Sequence, residues 1–165
     1  MPTWKELIRS HALGIDHIAI AVPDIDASVA LYTDLLGYEL IDERETRGSS
    51  TGMRSAVLKL GEVTVVLVQG SEPESQVTRF VTQFGPGVQH VAIAVRELAP
   101  VVDLLREQGV EFETPVIESP YTRQIFTVRD PQIGVRIELI ERRDQGFSDR
   151  SVEQLFRYME ERGAV

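Results

Sequence analysis

Only three histidines occur in the 165 residues of the chain. Two of them stand at the same place in a repeated phrase: His17 in GIDHIAIAV (14–22) and His90 in GVQHVAIAV (87–95). A single histidine inside an apolar strand is usually a satisfied core residue. Two at equivalent positions, 73 residues apart, suggest another role. A pseudo-twofold relation between the repeats would aim both imidazoles at one point, and imidazole nitrogen suits Fe(II), Zn(II), Ni(II) and Co(II) alike. A metal needs a further donor. In GVRIELIER (134–142), Glu138 alternates with apolar neighbours. A carboxylate at such a position is costly to bury without a cation. It is the best third ligand; an ion pair with a nearby arginine is the rival reading.

The repeat is also informative where it fails. Subtracting 73 from Glu138 gives Val65, in GEVTVVLVQ (61–69). The strand offers no Glu, Gln or His near that depth; Gln69, at the strand end beside Gly70, is the closest polar candidate for a ligand. Two histidines and one carboxylate leave a face of an octahedral ion open, the facial triad of non-haem Fe(II) oxygenases. The open positions can take a bidentate substrate and O2, so the pattern points to Fe(II) with O2 as co-substrate.

Similar elements follow each repeat. After the first, Ile25, Val29, Tyr32 and Leu36 recur at helical spacing, with Asp24 to cap the helix and Gly37 to end it. After the second, Leu98, Val101, Val102 and Leu105 form the stripe, Pro100 fits the first turn, and Gly109 ends it. Three strand-like segments come next in each half: YELIDERE, MRSAVLKL and EVTVVLVQ, then VEFETPVI, RQIFTVRD and GVRIELIE. Between the halves, Ser71 and Glu74 have the spacing of a capping box. A linking helix is therefore expected over about 72–84. A last helix is expected over about 151–161, with Val152, Leu155, Phe156 and Met159 on its buried stripe. The expected fold class is α+β. Tandem βαβββ modules, about 14–70 and 87–142, form one domain with a curved mixed sheet around a metal site, and the C-terminal helix acts as a lid.

Two such units, each opening on [DQ]-H-[IV]-A-I-A-V, resemble the vicinal oxygen chelate superfamily, which holds glyoxalases, bleomycin resistance proteins and dioxygenases. Three further stretches resemble the catalytic half of the 4-hydroxyphenylpyruvate dioxygenase and hydroxymandelate synthase family. They are SQVTRFVTQFGPGVQHVAIAV (75–95), YTRQIFTVRD (121–130) and IELIERRDQGFSDRSVEQLFRYMEERG (137–163). The resemblance implies His17, His90 and Glu138 as iron ligands. It implies a polar shell of Gln76, Gln89, Gln124 and Ser55, with Phe126 and Phe147 flanking the substrate side chain. Arg136 stands where that family usually has an aromatic residue; facing inward, it would favour an acidic group. The implied reaction is Fe(II)-dependent oxidative decarboxylation and hydroxylation of a 2-oxo acid. The superfamily also offers a metal-dependent isomerase, epimerase or glyoxalase-type lyase, and a non-catalytic binding or resistance protein.

Composition narrows the partners. Seventeen basic against 26 acidic residues give a net charge of −9, which repels a phosphate backbone, so no nucleic-acid partner is expected. No apolar run is long enough for a membrane span, and MPTWKELIRSHALG lacks the apolar core of a signal peptide. No cysteine is present, which removes thiolate chemistry and disulfides. A cytoplasmic enzyme is the default expectation, with a homodimer the common assembly among similar folds.

Overall fold

The computed structural model describes residues 1–143 and 149–163. A short helix, α1 (Trp4–His11), leads into strand β1 (Ala12–Ala21). Helix α1 is not among the expected elements, although Trp4, Leu7 and Ile8 stand at helical spacing and its start is encoded. Thr3 accepts a hydrogen bond from the Glu6 amide, and the Glu6 carboxylate accepts one from the Thr3 amide, a reciprocal capping box. Helix α2 (Ile25–Ala30) follows, continued by a π-helical turn over Leu31–Leu35. Asp24 caps α2 through the Ala27 amide at 3.0 Å, and Gly37 ends the segment with φ 76°. The wider turn shifts the helical phase, so Leu36 is exposed although it lies on the expected apolar stripe. Strands β2 (Glu39–Arg47), β3 (Gly52–Leu60) and β4 (Val63–Gly70) complete the first module.

Helix α3 (Gln76–Phe84) joins the modules. It begins later than the Ser71–Glu74 pattern suggests. The Ser71 amide is still bonded to the Gly52 carbonyl, and the Glu72 carboxylate accepts from the Gly52 amide, so the chain is held to β3 through residue 72. The second module is β5 (Gly87–Val95), α4 (Leu98–Glu107), β6 (Ile117–Glu118), β7 (Thr122–Phe126) and β8 (Arg136–Arg142). The strand expected over VEFETPVI is reduced to the two residues of β6 and an isolated bridge between Phe112 and Thr127. Pro115 lies in the middle of that segment and cannot donate to a ladder. Helix α5 (Asp149–Glu161) ends the described chain.

All eight strands form one curled sheet in the order β2-β3-β4-β1-β5-β8-β7-β6. The two modules meet at the antiparallel β1–β5 pair, and each central strand pairs in parallel with the last strand of its own module. Each module packs its first helix on the outer face of its half of the sheet. Ile25 meets Leu58, Val65 and Leu67 in the first module; Leu98, Val101 and Val102 meet Ile125 and Leu139 in the second. Burying a side chain the size of Leu58 or Leu67 contributes roughly 1.5–3 kcal/mol. A third cluster lies on the inner face, where Phe156 of α5 packs with Met53, Val68, Val77 and Phe80. The sheet is thus covered outside by helices and is hollow inside, between the two modules.

The ladder fixes which residues correspond between the modules. Ala19 pairs with Val66 in the first, and its counterpart Ala92 pairs with Glu138 in the second. The counterpart of Glu138 is therefore Val66, not the Val65 reached by counting 73 residues. Val65 lies in the outer core with Ile25, whereas Val66 lines the hollow. The strand ends agree: Gln69 accepts from the Ile25 amide at 2.8 Å, and Glu141 accepts from the Leu98 amide at 2.7 Å. Each last strand therefore secures the start of its module's first helix. Gln69 serves as a cap for α2 and does not turn into the hollow.

Candidate metal centre

His17 on β1, His90 on β5 and Glu138 on β8 are all buried and point into the hollow. His17 Nε2 lies 3.3 Å from His90 Nε2, and Glu138 Oε2 lies 3.3 Å from each of them. This triangle of donor atoms can be served by one ion about 2.0–2.2 Å from each corner. The donor chemistry also fits: two nitrogens and one carboxylate oxygen, with both histidines presenting Nε2.

Two β-bulges arrange this. In the β1–β5 ladder, Ile15 pairs with Ile93 and His17 with Ala92, leaving Asp16 as an extra residue. Further along, Ala19 pairs with His90 and Ile20 with Val88, leaving Gln89 as an extra residue. A bulge re-aims a side chain. Each extra residue reaches the imidazole that follows it. His17 Nδ1 donates to Asp16 Oδ1 at 2.8 Å, and His90 Nδ1 donates to Gln89 Oε1 at 3.3 Å. Arg142 grips Asp16 from β8, Nε to Oδ2 at 2.6 Å and Nη2 to Oδ1 at 2.7 Å.

Burial opposes every charge here, and the neighbours decide the outcome. Desolvation pulls the His17 imidazole down, but the charges and hydrogen bonds of Glu138 and Asp16 outweigh it and raise its pKa to about 9. Burial pushes the Glu138 carboxyl up, yet the two histidines bring it down to about 2. Asp16, against its own burial, is held well below the usual carboxylate range by Arg142 and His17. For His90 desolvation prevails, and its pKa falls. One proton therefore resides on His17 between two carboxylates, and a cation at the centre would displace it.

The hollow opens to solvent and holds about 640 Å³ of empty space, part of it open solvent at the mouth. Its walls follow the pseudo-twofold. Ser55 and Gln124 are counterparts, as are Val57 and Phe126, and Val68 and Ile140; all six line it. Arg44, Thr122, Arg142 and Leu155 are also part of its lining. Ser55, Gln124 and Phe126 thus stand around the triad, and the Phe126 ring meets His90 edge-on at 5.2 Å. Gln89 stands behind His90, on its Nδ1 side. Gln76 is buried at the start of α3, beside a separate cavity under α5 with Ser50, Arg79 and Glu160. Arg136 is 2% exposed and shares a strand face with Glu138, but its guanidinium is tied to Glu113 and is absent from the described cavity wall. Phe147 lies outside the described residues. The sequence reading missed Asp16 and Arg142. The signal for Asp16 was available: the residue before each histidine is an oxygen acceptor.

The family model of the Glyoxalase/Bleomycin resistance protein/Dioxygenase superfamily matches residues 14–139. The chain belongs to that superfamily. Among the members it is similar to is YwkD of Bacillus subtilis, an uncharacterised protein, 34% identical over 69% of this chain and 85% of that one. It is also similar to 4-hydroxyphenylpyruvate dioxygenase of Legionella pneumophila, 28% identical over 66% of this chain but only 32% of that enzyme. Among solved structures, methylmalonyl-CoA epimerase from Mycobacterium tuberculosis is 30% identical with a TM-score of 0.68, covering 79% of this chain and 88% of that one. The paired modules agree with that membership, and the named relatives include a dioxygenase and an epimerase. No helix among the described residues is long and apolar enough to cross a membrane.

Proposed function

We propose that the chain is an Fe(II)-dependent dioxygenase that decarboxylates a 2-oxo acid and hydroxylates the remainder of the same molecule. The observation that carries this reading is the apolar Val66 in the position equivalent to Glu138. Among the described residues it leaves the centre with three protein donors, His17, His90 and Glu138, and an apolar side chain on the side facing the cavity. A 2-oxo acid offers two adjacent oxygens, a fit for two neighbouring open positions. When bound, such an ion supplies the redox chemistry: O2 is consumed, CO2 leaves, one oxygen atom enters the new carboxylate and the other becomes a hydroxyl.

The chain's own residues do the rest. His17, His90 and Glu138 hold the centre. Gln124 and Ser55 can donate to or accept from substrate oxygens without adding charge. Val57, Val66, Val68, Ile140 and Leu155 supply an apolar part of the wall and limit water at the reacting carbons, while Arg44, Thr122 and Arg142 add polar groups to it. The similarity to a 4-hydroxyphenylpyruvate dioxygenase supports the reading; the identity of the 2-oxo acid is set by that wall.

An epimerase or lyase acting through proton transfer is the second reading, favoured by the 30% identity to a methylmalonyl-CoA epimerase. The two separate in one assay. Protein loaded anaerobically with Fe(II) is given a panel of 2-oxo acids in air, and separately a 2-methyl-branched acyl thioester in deuterated water. The dioxygenase reading expects O2 uptake with at least one 2-oxo acid and no deuterium entering the thioester. Deuterium exchange without O2 uptake would overturn it.

A further inference from the structure

We propose that Asp16, clamped by Arg142, is a positioning residue for the metal centre. It fixes the ring of His17 so that Nε2 faces the ion, and it makes His17 the more strongly donating of the two histidines. The inference rests on the metal-centre reading above.

Four observations carry it. Asp16 is the extra residue of a β-bulge, the one device that lets it and His17, neighbours in sequence, reach the same side of the sheet. Its Oδ1 accepts a hydrogen bond from His17 Nδ1 at 2.8 Å, leaving Nε2 as the nitrogen turned to Glu138 and His90. Its two oxygens are held in a fork by Arg142, at 2.6 and 2.7 Å, so the carboxylate cannot rotate away without losing both bonds. Arg142 is on β8, four residues beyond Glu138 and on the same strand face, while Asp16 is on β1. These strands are separated by β5. The clamp therefore spans the module junction and sets the position of ligand His17 relative to ligand Glu138.

The pseudo-twofold supplies an internal comparison. Gln89 occupies the second bulge and does the same for His90 with a neutral amide at 3.3 Å. A charged acceptor makes a hydrogen bond roughly twice as strong as a neutral one and raises the basicity of the ligand it holds. The two imidazoles are thus inequivalent by construction, although their strands repeat.

The test uses the full chain, prepared free of metal and titrated with Co(II), which reports affinity and, through its visible bands, geometry. Asp16→Asn keeps the shape and loses the charge; it is expected to weaken Co(II) binding about 10–100-fold with the bands little changed. Asp16→Ala is expected to weaken it further and to shift the bands. Arg142→Gln is expected to weaken binding in the native background and to add little to Asp16→Ala, because the two act through one contact. Gln89→Ala is expected to cost less than Asp16→Ala. Asp26→Asn, at a surface pair with Arg54, is expected to leave Co(II) binding unchanged. The proposal is overturned if Asp16→Asn binds Co(II) within twofold of the native chain. It is overturned equally if Arg142→Gln and Asp16→Ala weaken binding additively. Should Asp16→Ala fail to fold by circular dichroism, the isosteric Asp16→Asn decides. A native chain that binds no Co(II) would instead bring down the metal-centre reading itself.

Discussion

Val66 stands in the first module where Glu138 stands in the second: each pairs with the alanine two residues beyond its module's histidine. Supplying a matching carboxylate is therefore a one-residue change. Val66→Glu is expected to give a four-ligand centre that binds Zn(II) or Co(II) at least tenfold more tightly and loses any oxidation of 2-oxo acids. In the metal-free state the added carboxylate is partly buried without a partner, costing roughly 1–3 kcal/mol of stability. Calorimetry of metal binding and thermal unfolding with and without metal check both parts.

Removing a proposed ligand has the opposite signature. Glu138→Ala is expected to abolish metal-dependent stabilisation. Binding at a hundredfold excess over Kd stabilises a native state by about 2.7 kcal/mol, a shift of several degrees in Tm that should vanish in the variant. Retention of the shift in Glu138→Ala would place the metal elsewhere.

The charge on His17 ties both metal binding and stability to pH. Its folded pKa of about 9 lies above the ordinary 6.5. The metal-free protein therefore holds a stabilising proton that is fully in place below pH 6.5 and is lost as pH rises towards 9. Stability of the metal-free chain is expected to fall across that window. Metal must displace the same proton, so apparent metal affinity is expected to rise about tenfold per unit as pH increases, levelling off near 9. Glu138 acts at the other end: its depressed pKa of about 2 contributes stability above pH 4.5 that disappears as pH falls through 2. Thermal unfolding and metal titration over pH 6–10 read the His17 effects directly.

Helix α5 is fastened at its far end. The Glu160 carboxylate accepts from the Ser49 amide at 2.8 Å, from the Thr51 amide at 2.7 Å and from the Thr51 hydroxyl. A Cβ on Gly48 would meet that carboxylate and lie 2.8 Å from the Phe156 ring, so a larger residue there forces both side chains to shift. Glu160→Ala and Gly48→Ala are each expected to destabilise by about 1 kcal/mol and to speed proteolysis within 149–163 severalfold. Limited proteolysis followed by mass spectrometry locates the cuts.

Much of this was legible in the chain, and what was not has definite causes. The histidine pair and Glu138 could be read because a repeat and a lone carboxylate in an apolar strand are local signals. The partner of Glu138 was misread by one position because the repeat length drifts. It is 73 from His17 to His90, 69 from Ser55 to Gln124 and 72 from Val66 to Glu138. In a strand, one position is the difference between the outer core and the cavity wall. The Arg142–Asp16 clamp joins residues 126 apart, across a strand to which neither belongs, and only the folded sheet brings them together. The fate of Arg136 likewise depended on Glu113, which lies outside any regular element.

The most direct test of a three-ligand centre that leaves room for a 2-oxo acid and O2 is stoichiometry. Fe(II)-loaded protein is supplied with a 2-oxo acid labelled at C1, and O2 consumed and labelled CO2 released are measured in the same vessel. The account predicts one O2 per CO2 for at least one acid, with both signals lost in Glu138→Ala. CO2 release without O2 uptake, or no coupled turnover with any 2-oxo acid by a chain that holds its iron, would contradict it.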